Sequence, residues 1–307
     1  MAPEFTLIAN PVSGWRKGPQ RAAEVLARLK KAGRHAEMKL TTAQGDAGRL
    51  AADAAAHGSR VIVAAGGDGT LHEVACALAG APATMGILPF GRCNDLARAL
   101  GIFKHTPVDA LARMLLEGPV RAIDLGRYEP RDNPEAARRF CTVATLGLDS
   151  DVTRYVDEHK LRLKGTLSYL YATARVLLKF KPPHVRLRWD NGDFDGRILL
   201  AATGNTPYYG GAMHICPGAT PDDGLLNVCL IEAVGRMTIL RIIPRVYSGR
   251  HVQHKKVRML TTKRLEIETP DGAQVLYADG ERLGTTPGVI SVEAGRLKVI
   301  LGAFKKE

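Results

Sequence analysis

The chain has 307 residues, of which 45% are hydrophobic and 24% charged, so it can bury the cores of two ordinary domains and is not disordered throughout. Its five cysteines form no C-x-x-C pair, which argues against a zinc knuckle or a disulfide framework and favours a reducing cytosol. The formal net charge of +12 favours anionic partners such as nucleotide phosphates, anionic lipid surfaces or nucleic acid.

The N-terminal segment lacks a basic stretch followed by a long apolar one, so no signal peptide is predicted. The sequence also lacks a run of about 18 apolar residues, so no membrane-spanning helix is predicted. We therefore expect a cytoplasmic protein that contacts the inner face of the membrane only transiently and peripherally. The oligomeric state is left open, with a homodimer as one possibility.

Strand and helix patterns alternate through the first third of the chain. The predicted strands are Phe5–Ala9, His35–Leu40, Arg60–Ala65 and Met85–Leu88. The predicted helices are Pro19–Ala32, Ala47–Ala56, Leu71–Ala79 and Asp95–Leu100. The third strand is almost wholly apolar, as is typical of a strand buried in a parallel sheet. Repeated strand–helix units predict an α/β, Rossmann-like three-layer domain over residues 1–125.

From about Arg121 onward the pattern becomes β-rich. The predicted strands are Ala122–Tyr128, Phe140–Leu146, Val185–Asp190, Ile198–Thr203, Leu225–Ile231, Arg264–Thr269, Val275–Ala278, Val289–Ala294 and Leu297–Leu301. Helices are predicted at about Leu161–Leu178 and Met237–Tyr247. Asn-Gly and Asp-Gly pairs between the strands are typical of hairpin turns. We expect a largely antiparallel, β-sandwich-like domain over residues 126–307, whose last strand is a candidate to return to the first domain.

The segment from Val234 to Leu265 carries nine Lys or Arg residues and no Asp or Glu. It can be a solvated helix face with ordinary basic strand ends, or it can contact an anionic surface. Only Tyr247 interleaves as an aromatic residue, so RNA binding through stacked bases is disfavoured and no nucleic acid partner is expected.

The sequence Gly66-Gly67-Asp68-Gly69-Thr70 stands directly between a buried strand and a helix. Glycines there let the backbone approach an anion, and a helix N-terminus beside them is suited to phosphate. Thr70 and Glu73 predict a capping box, with the helix beginning at Thr70. The alternative is a plain tight turn in which Asp68 is a local cap.

Three predicted strands of the first domain end in polar or glycine-rich turns: Asn10–Gly14, Gly66–Thr70 and Gly91–Asp95. Ligands of open α/β sheets bind at the carboxyl ends of the strands, so these turns predict one shared site. Neither the G-x-x-x-x-G-K-[ST] motif nor G-x-G-x-x-G is present, which disfavours a P-loop NTPase and a dehydrogenase.

These motifs and several later ones resemble the diacylglycerol kinase catalytic domain family, in the expected order and over nearly the whole chain. They are Asn10-Pro-x-Ser-Gly, GGDGT with Glu73-Val74, Leu88-Pro89-Phe-Gly-x-x-Asn94-Asp95, Gly147-Leu148-Asp149, Tyr209-Gly210-Gly211 with Pro217, Asp222-Asp223-Gly224-Leu225-Leu226, and Asp279-Gly280-Glu281. The resemblance implies an NAD kinase/diacylglycerol kinase-like fold. It also implies a Mg²⁺-dependent lipid kinase that transfers the γ-phosphate of ATP to a diacylglycerol-like or sphingoid hydroxyl.

The resemblance also implies roles for individual residues. The ATP-binding set would be Asn10, Ser13, Thr41, Gly66, Gly67, Asp68, Gly69, Thr70, Glu73 and Arg92. Asp279 would be the general base, and Asp95, Asp124 and Glu281 would form the acidic network for the catalytic Mg²⁺. Asp223, with backbone oxygens of Thr220 and Leu225, would hold a structural Mg²⁺.

Each acidic residue also has a structural interpretation, since Asp279-Gly280 and Asp223-Gly224 are hairpin-turn pairs and Asp95 could cap a helix. Arg92 stands where the family usually has threonine, and it can clamp a phosphate or obstruct the site. Two other functions remain open: a soluble nucleotide kinase of the NAD kinase type, and a catalytically idle lipid-binding relative.

Overall fold

The computed structural model describes residues 2–159 and 166–302, apart from the side chains of residues 15, 16 and 166–170. The chain forms two compact units: residues up to Leu125 with those from Ala294 onward, and Gly126–Glu293. The predicted helix Leu161–Leu178 begins outside the described residues, and its described part is helical from Thr166.

The first unit alternates strands and helices. Its first four strands are β1 (Phe5–Ala9), β2 (Ala36–Leu40), β3 (Val61–Gly66) and β4 (Thr84–Pro89). Its helices are α1 (Gly18–Lys31), α2 (Asp46–Ala56), α3 (Asp68–Leu78), α4 (Asp95–Ala99) and α5 (Val108–Glu117). The strands are all parallel in the order β2-β1-β3-β4, which confirms the predicted α/β fold.

Apolar patterning explains these elements. Every residue of β1 is buried, and β3 is buried from Ile62 to Gly66, as expected of strands covered on both sheet faces. Helix α1 buries Ala22, Val25 and Leu29, which lie on one helical face. Sequence interpretation missed α5, although Val108, Leu111, Ala112 and Leu115 have the i, i+3, i+4, i+7 spacing of an amphipathic helix.

The second unit is built mostly from antiparallel strands. The strands that follow β4 along the chain are β5 (Val120–Pro130), β6 (Arg138–Phe140), β7 (Val143–Gly147), β8 (His184–Trp189), β9 (Gly192–Gly204), β10 (Tyr208–Tyr209), β11 (Met213–His214), β12 (Leu226–Glu232), β13 (Val257–Thr262), β14 (Arg264–Glu268), β15 (Val275–Ala278), β16 (Glu281–Thr285) and β17 (Gly288–Ile300). The helices are α6 (Leu148–His159), α7 (Thr166–Lys179) and α8 (Arg236–Tyr247).

The long strand β9 connects two antiparallel sheets of the second unit. Its first half, residues 192–197, pairs with β8, and its second half pairs with β7 and β12. Apolar side chains between the strands form a core that includes Tyr128, Phe140 and Leu230. The predicted β-rich second domain is thus confirmed, although helix α6 and strands β10, β11, β13 and β16 were not predicted.

The final strand, β17, was predicted as two strands broken after Ala294. It is continuous, and Gly295 lies within it with a φ of 59°, a left-handed conformation that suits glycine. The part around Ser291 pairs with β14, whereas Val299 pairs in parallel with Met85 of β4.

Within the described part of the chain, no helix combines the length and the apolar character needed to cross a membrane.

Candidate active site

The turns that follow β1, β3 and β4 surround one cavity of about 580 Å³ in the first unit. These strands are parallel neighbours, so their carboxyl ends meet at the same sheet edge. Pockets of this size hold ligands as large as a nucleotide. Six of the predicted ATP-binding residues line it: Asn10, Ser13, Gly67, Gly69, Thr70 and Arg92.

The first two turns are joined by hydrogen bonds. The amide of Asn10 donates to the Ala65 carbonyl at 3.1 Å, and Asn10 Nδ2 donates to Thr70 Oγ1 at 3.4 Å. Ser13 Oγ donates to the Asn10 carbonyl at 2.8 Å. These bonds fix the polar side chains at the cavity wall.

Gly67 and Gly91 bring the second and third turns into close contact. A Cβ added to Gly91 would lie 2.4 Å from the Cα of Gly67, a distance that side chains do not adopt. The Phe90 amide also donates to the Gly66 carbonyl at 2.8 Å. Both glycines are therefore required by the approach of the two backbones, in addition to exposing backbone to the cavity.

Four predicted ATP-binding residues, Thr41, Gly66, Asp68 and Glu73, are not among the described residues that line the cavity. Buried Thr41 continues the β1–β2 pairing, because its amide donates to the Ala9 carbonyl at 3.0 Å. Gly66 accommodates Thr70, whose Oγ1 would lie 2.5 Å from a Cβ added to Gly66. Gly66 therefore makes room for a side chain of the cavity wall, whereas the contact of Thr41 extends the sheet.

Asp68 holds the third turn rather than facing the cavity. Its carboxylate accepts hydrogen bonds from the amides of Asn94 and Asp95, at 2.9 and 2.8 Å. Asn94 has a φ of 54°, and its side chain bonds both the amide and the carbonyl of Gly91 at 2.9 Å. The Asn-Asp motif is thus a turn in which Asn94 adopts a left-handed conformation. Hydrogen bonds from the Asn94 side chain to Gly91 and from the Asn94 amide to Asp68 stabilise this conformation.

The predicted capping box is wrong. Helix α3 begins at Asp68, two residues before Thr70. The Glu73 carboxylate instead accepts the amides of Gly45, Ala47 and Gly48 at the start of α2, at 2.9, 3.0 and 3.4 Å. Glu73 therefore satisfies amides that the first turn of another helix leaves without intrahelical partners.

Basic side chains that sequence interpretation did not select also line the cavity: Lys17, Arg21, Lys104 and His105. No carboxylate side chain is among the described lining residues, so the cavity is strongly cationic. Lys17 lies three residues after the Asn10–Gly14 turn, so its closeness to a predicted ligand-binding turn is a sequence signal for a phosphate-binding residue. Lys104 and His105 belong to the segment between α4 and α5, which carries no motif.

Arg21 positions that segment. Its guanidinium donates to the carbonyls of Lys104 and Thr106 at 3.0 and 2.9 Å. It also lies 4.9 Å from the centre of the Phe90 ring. The charge of Arg21 is thereby held against the cavity wall, and Lys104 is fixed beside it.

Two residues of the predicted acidic network, Asp95 and Asp124, are buried in the first unit. Asp95 is the first residue of α4, and Asp124 Oδ1 accepts the Gly295 amide at 2.7 Å.

Burial, with the nearby charges of Asp68 and Asp95, raises the pKa of the Cys93 thiol to about 11. Cys93 is therefore a protonated thiol at neutral pH and not a nucleophile.

The predicted base, Asp279, lies in the second unit with Glu281. Asp279 and Gly280 form the hairpin turn between β15 and β16, with φ values of 53° and 84°. Positive φ at both positions is typical of the type I′ turn that Asp-Gly favours. The Asp279 carboxylate accepts the Cys141 amide at 2.6 Å, the Thr142 amide at 3.0 Å and the Thr142 hydroxyl.

Asp149, from the Gly-Leu-Asp motif, lies partly buried in the second unit. Burial raises the pKa of its carboxyl, an effect partly offset by hydrogen bonds from the hydroxyls of Thr145 and Tyr209. Burial and the neighbouring Asp149 also raise the pKa of Tyr209 well above its usual value. This pair is a partly buried polar contact that the sequence motif did not reveal.

The predicted structural metal site, Thr220, Asp223 and Leu225, forms one exposed turn. Asp223 Oδ2 accepts the Thr220 hydroxyl at 2.8 Å, and Oδ1 accepts the Leu225 amide at 2.9 Å. A carboxylate and backbone carbonyls are ligands that Mg²⁺ accepts, and each carboxylate oxygen has two lone pairs. The Asp223 carboxylate and the backbone carbonyls of Thr220 and Leu225 are therefore a donor set that fits a hard cation.

Two segments of the chain each match a known protein family. Residues 4–128 match the family described as the diacylglycerol kinase catalytic domain. Residues 142–301 match the family described as the YegS C-terminal NAD kinase beta sandwich-like domain.

Curated relatives match over almost the full length. A protein named diacylglycerol kinase from Mycobacterium tuberculosis is 33% identical over 97% of this chain and 94% of its own length. A protein named probable lipid kinase YegS-like from Pseudomonas aeruginosa is 36% identical over 94% of this chain and 92% of its own. A solved structure titled as a diacylglycerol kinase from Bacillus anthracis has a TM-score of 0.74 and 20% identity, covering 98% of this chain and 97% of that one, which demonstrates a shared fold.

Proposed function

The chain belongs to the diacylglycerol kinase family, and from this premise we propose that it transfers the γ-phosphate of ATP to a hydroxyl group of a diacylglycerol-like or sphingoid lipid. Relatives named diacylglycerol kinase and lipid kinase support the reaction class. Neither name identifies the acceptor of this chain.

The observation that carries the proposal is the cationic, glycine-walled cavity of the first unit. Gly67 and Gly91 expose backbone to it, and Lys17, Arg92 and Lys104 contribute positive charge. Phosphoryl transfer requires mainly positioning and neutralisation of phosphate charge, which these groups can provide. An uncharged ligand would gain little from such a wall.

Asp279 is our candidate for the base that takes the proton from the lipid hydroxyl as the phosphoryl group is transferred. The amides of Cys141 and Thr142 orient its carboxylate, so the side chain does not have to be ordered when the lipid arrives. A base within hydrogen-bond reach of the attacking hydroxyl accelerates such reactions by roughly 10²–10⁴-fold.

The acidic residues Asp95, Asp124 and Glu281 are the candidates to hold the catalytic Mg²⁺, directly or through water. Carboxylates are ligands that Mg²⁺ prefers, and the bound ion would neutralise phosphate charge. Asp124 already accepts the Gly295 amide, which keeps one of its oxygens at a fixed position. The turn of Thr220, Asp223 and Leu225 is the candidate structural Mg²⁺ site.

The proposal is tested by incubating the protein with γ-labelled ATP, Mg²⁺ and a total lipid extract, followed by separation and identification of the labelled lipid. We expect label in a lipid that has gained one phosphate. Parallel reactions with NAD as acceptor, and with GTP and CTP as donors, define the specificity. Label on NAD but on no lipid would replace the proposal with a nucleotide kinase, and ATP binding without any transfer would favour an idle lipid-binding relative.

A further inference from the structure

Helix α8 of the second unit has apolar side chains on two faces. Its inner face buries Ile239, Ile242 and Val246 in a hydrophobic cluster. Its outer face, defined here as Met237, Leu240, Pro244 and Tyr247, is exposed. The exposed fractions are 68% for Met237, 55% for Leu240 and 57% for Tyr247. The inner face packs the helix onto the fold, whereas most of the surface of the outer apolar side chains is left in contact with solvent.

The outer face is surrounded by positive charge. Arg241 and Arg245 are exposed, and in the described part of the chain neither makes an ion pair with a carboxylate. Elsewhere in the same basic segment, Lys256 and Arg258 are neutralised by Glu232, at 2.6 and 2.8 Å. The charges of Arg241 and Arg245 on α8, beside its outer apolar face, are thus not neutralised in this way.

The end of α7 extends this surface. Arg236 Nη2, at the start of α8, donates to the carbonyl of Leu178 at 2.8 Å. The Leu178 side chain is 61% exposed, and Lys179 and Lys181 beside it are also exposed. The same alternation of apolar and basic side chains thus continues from α8 onto the last turn of α7.

We propose that the outer face of α8, with the end of α7, is the surface by which the protein docks on an anionic lipid bilayer. The inference rests on the proposed function to the extent that a lipid kinase must reach a membrane. Exposed apolar side chains among arginines and lysines are typical of helices that lie in the bilayer interface. Anionic lipid headgroups complement the charge, and the acyl boundary accommodates the apolar side chains.

A second copy of the chain fits this surface less well. A two-fold dimer brings the same patch of both subunits together, so the arginines of α8 would face their own copies. Like charges placed together across an interface oppose association. Nucleic acid would match the charge but would leave Met237 and Leu240 without apolar contact.

The test is co-sedimentation with phosphatidylcholine vesicles that contain or lack phosphatidylglycerol, with no nucleotide or acceptor added. We expect Leu240→Ser to lower the partition coefficient on anionic vesicles by roughly tenfold, since one large apolar side chain would no longer be buried in the interface. Val120→Ser is the matched control, because Val120 is 56% exposed and lies outside this surface. It should bind as the wild type does.

The role of charge is tested with the double variant Arg241→Gln/Arg245→Gln. The control is the double variant Arg28→Gln/Arg49→Gln, which removes the same number of positive charges from outside the proposed surface. In the wild type, Arg28 pairs with Asp109, and Arg49 pairs with Asp46 and Asp53. Only the first pair should abolish the preference for anionic vesicles. Melting temperatures of all variants should match the wild type, since every changed side chain is partly or fully exposed.

Equal vesicle binding by the α8 variants and their controls would overturn the proposal. So would a wild-type dimer that Leu240→Ser converts to monomers, because the surface would then be a subunit interface. Phosphorylation of a detergent-dispersed lipid should survive both α8 variants. If the α8 variants lose vesicle binding but the wild type phosphorylates no lipid, the docking surface is supported and the kinase function is refuted. If the wild type phosphorylates lipid but the α8 variants bind vesicles normally, the kinase function is supported and the docking surface is refuted.

Discussion

Asp279 illustrates how one residue can satisfy a structural and a catalytic interpretation together. The Asp-Gly pair forms the hairpin turn that its spacing predicts, with both residues at positive φ. The same turn directs the carboxylate onto the amides of Cys141 and Thr142. Sequence spacing could predict the turn but not these contacts, because the donors lie more than 130 residues earlier in the chain.

Arg92 is exposed and lies at the cavity wall, as required for either of its two predicted roles. If it clamps phosphate, Arg92→Ala should weaken ATP binding by about 1.5–3 kcal/mol, the scale of a hydrogen bond to a charged group. We expect this result from calorimetric ATP titration. Arg92→Thr tests the opposite role, because an obstructing arginine would make the threonine variant turn over faster. Unchanged affinity in both variants would exclude Arg92 from the nucleotide site.

The raised pKa of Asp149 predicts a specific pH dependence. The folded state binds the Asp149 proton more tightly than the unfolded state, so this group stabilises the fold below its ordinary pKa and loses that contribution as pH rises through the folded pKa. Asp149→Asn cannot ionise. The free energy of unfolding of this variant, relative to that of the wild type, should therefore increase as the pH rises from about 4 to about 7, because only the wild type loses stability by ionising Asp149. A difference that stays constant across denaturant titrations in this range would contradict the assignment.

Among helices and strands, local patterns predicted best where one segment determines its own structure. The apolar run of β3 and the glycines after it predicted a strand, a turn and a following helix, and all three are present. The start of α3 was misplaced because Glu73 was paired with its near neighbour Thr70. Its actual partners are on α2, and such a contact depends on tertiary packing that no local spacing encodes.

The role of Glu73 can be separated from nucleotide binding. Glu73→Ala removes the acceptor for three amides at the start of α2 and should lower the free energy of unfolding by about 0.5–2 kcal/mol, as the loss of a helix cap does. ATP affinity should be unchanged in the folded protein, because Glu73 does not line the cavity. Glu73→Gln, which keeps one oxygen acceptor, should lose less stability. A large fall in ATP affinity without loss of stability would restore Glu73 to the nucleotide site.

The basic lining of the cavity was only partly predictable. Arg92 was selected because it departs from a motif, whereas Lys104 and His105 lie in an irregular segment between two short helices. That segment is positioned by Arg21 on α1, more than 80 residues earlier. A net charge of +12 indicated anionic partners but could not locate the charge in the fold.

At the scale of the whole molecule, the order of the motifs was more informative about function than composition was. The motifs extend from Asn10 to Glu281, and relatives match this chain over more than nine-tenths of its length. Composition and hydropathy alone supported only a two-domain globular protein with anionic partners. The lipid acceptor is recognised by side chains whose arrangement depends on packing, so neither level of sequence evidence identifies it.

Global stability should respond to Mg²⁺ through Asp223. An ion that binds only the folded state adds about 2.7 kcal/mol at a concentration a hundredfold above its dissociation constant. Mg²⁺ should raise the melting temperature of the wild type more than that of Asp223→Ala, measured against a chelator baseline that removes the effect of the lost Thr220 and Leu225 contacts. The control variant Asp222→Ala removes the neighbouring carboxylate, and Mg²⁺ should raise its melting temperature as much as it raises that of the wild type. Equal Mg²⁺ shifts in all three proteins would show that Asp223 binds no structural ion.

The central claim is that this chain is a lipid kinase whose base is Asp279, and one measurement tests it most directly. Transfer of γ-labelled phosphate to lipid is compared for the wild type, Asp279→Asn and Thr142→Val, with ATP affinity and melting temperature recorded for each. Thr142→Val is the control because it removes the hydroxyl that bonds Asp279 but keeps the carboxylate. We predict that Asp279→Asn lowers kcat by roughly 10²–10⁴-fold with nearly unchanged ATP affinity, whereas Thr142→Val retains most of the turnover. Near-normal transfer by Asp279→Asn, or no transfer to any lipid by the wild type, would contradict the account.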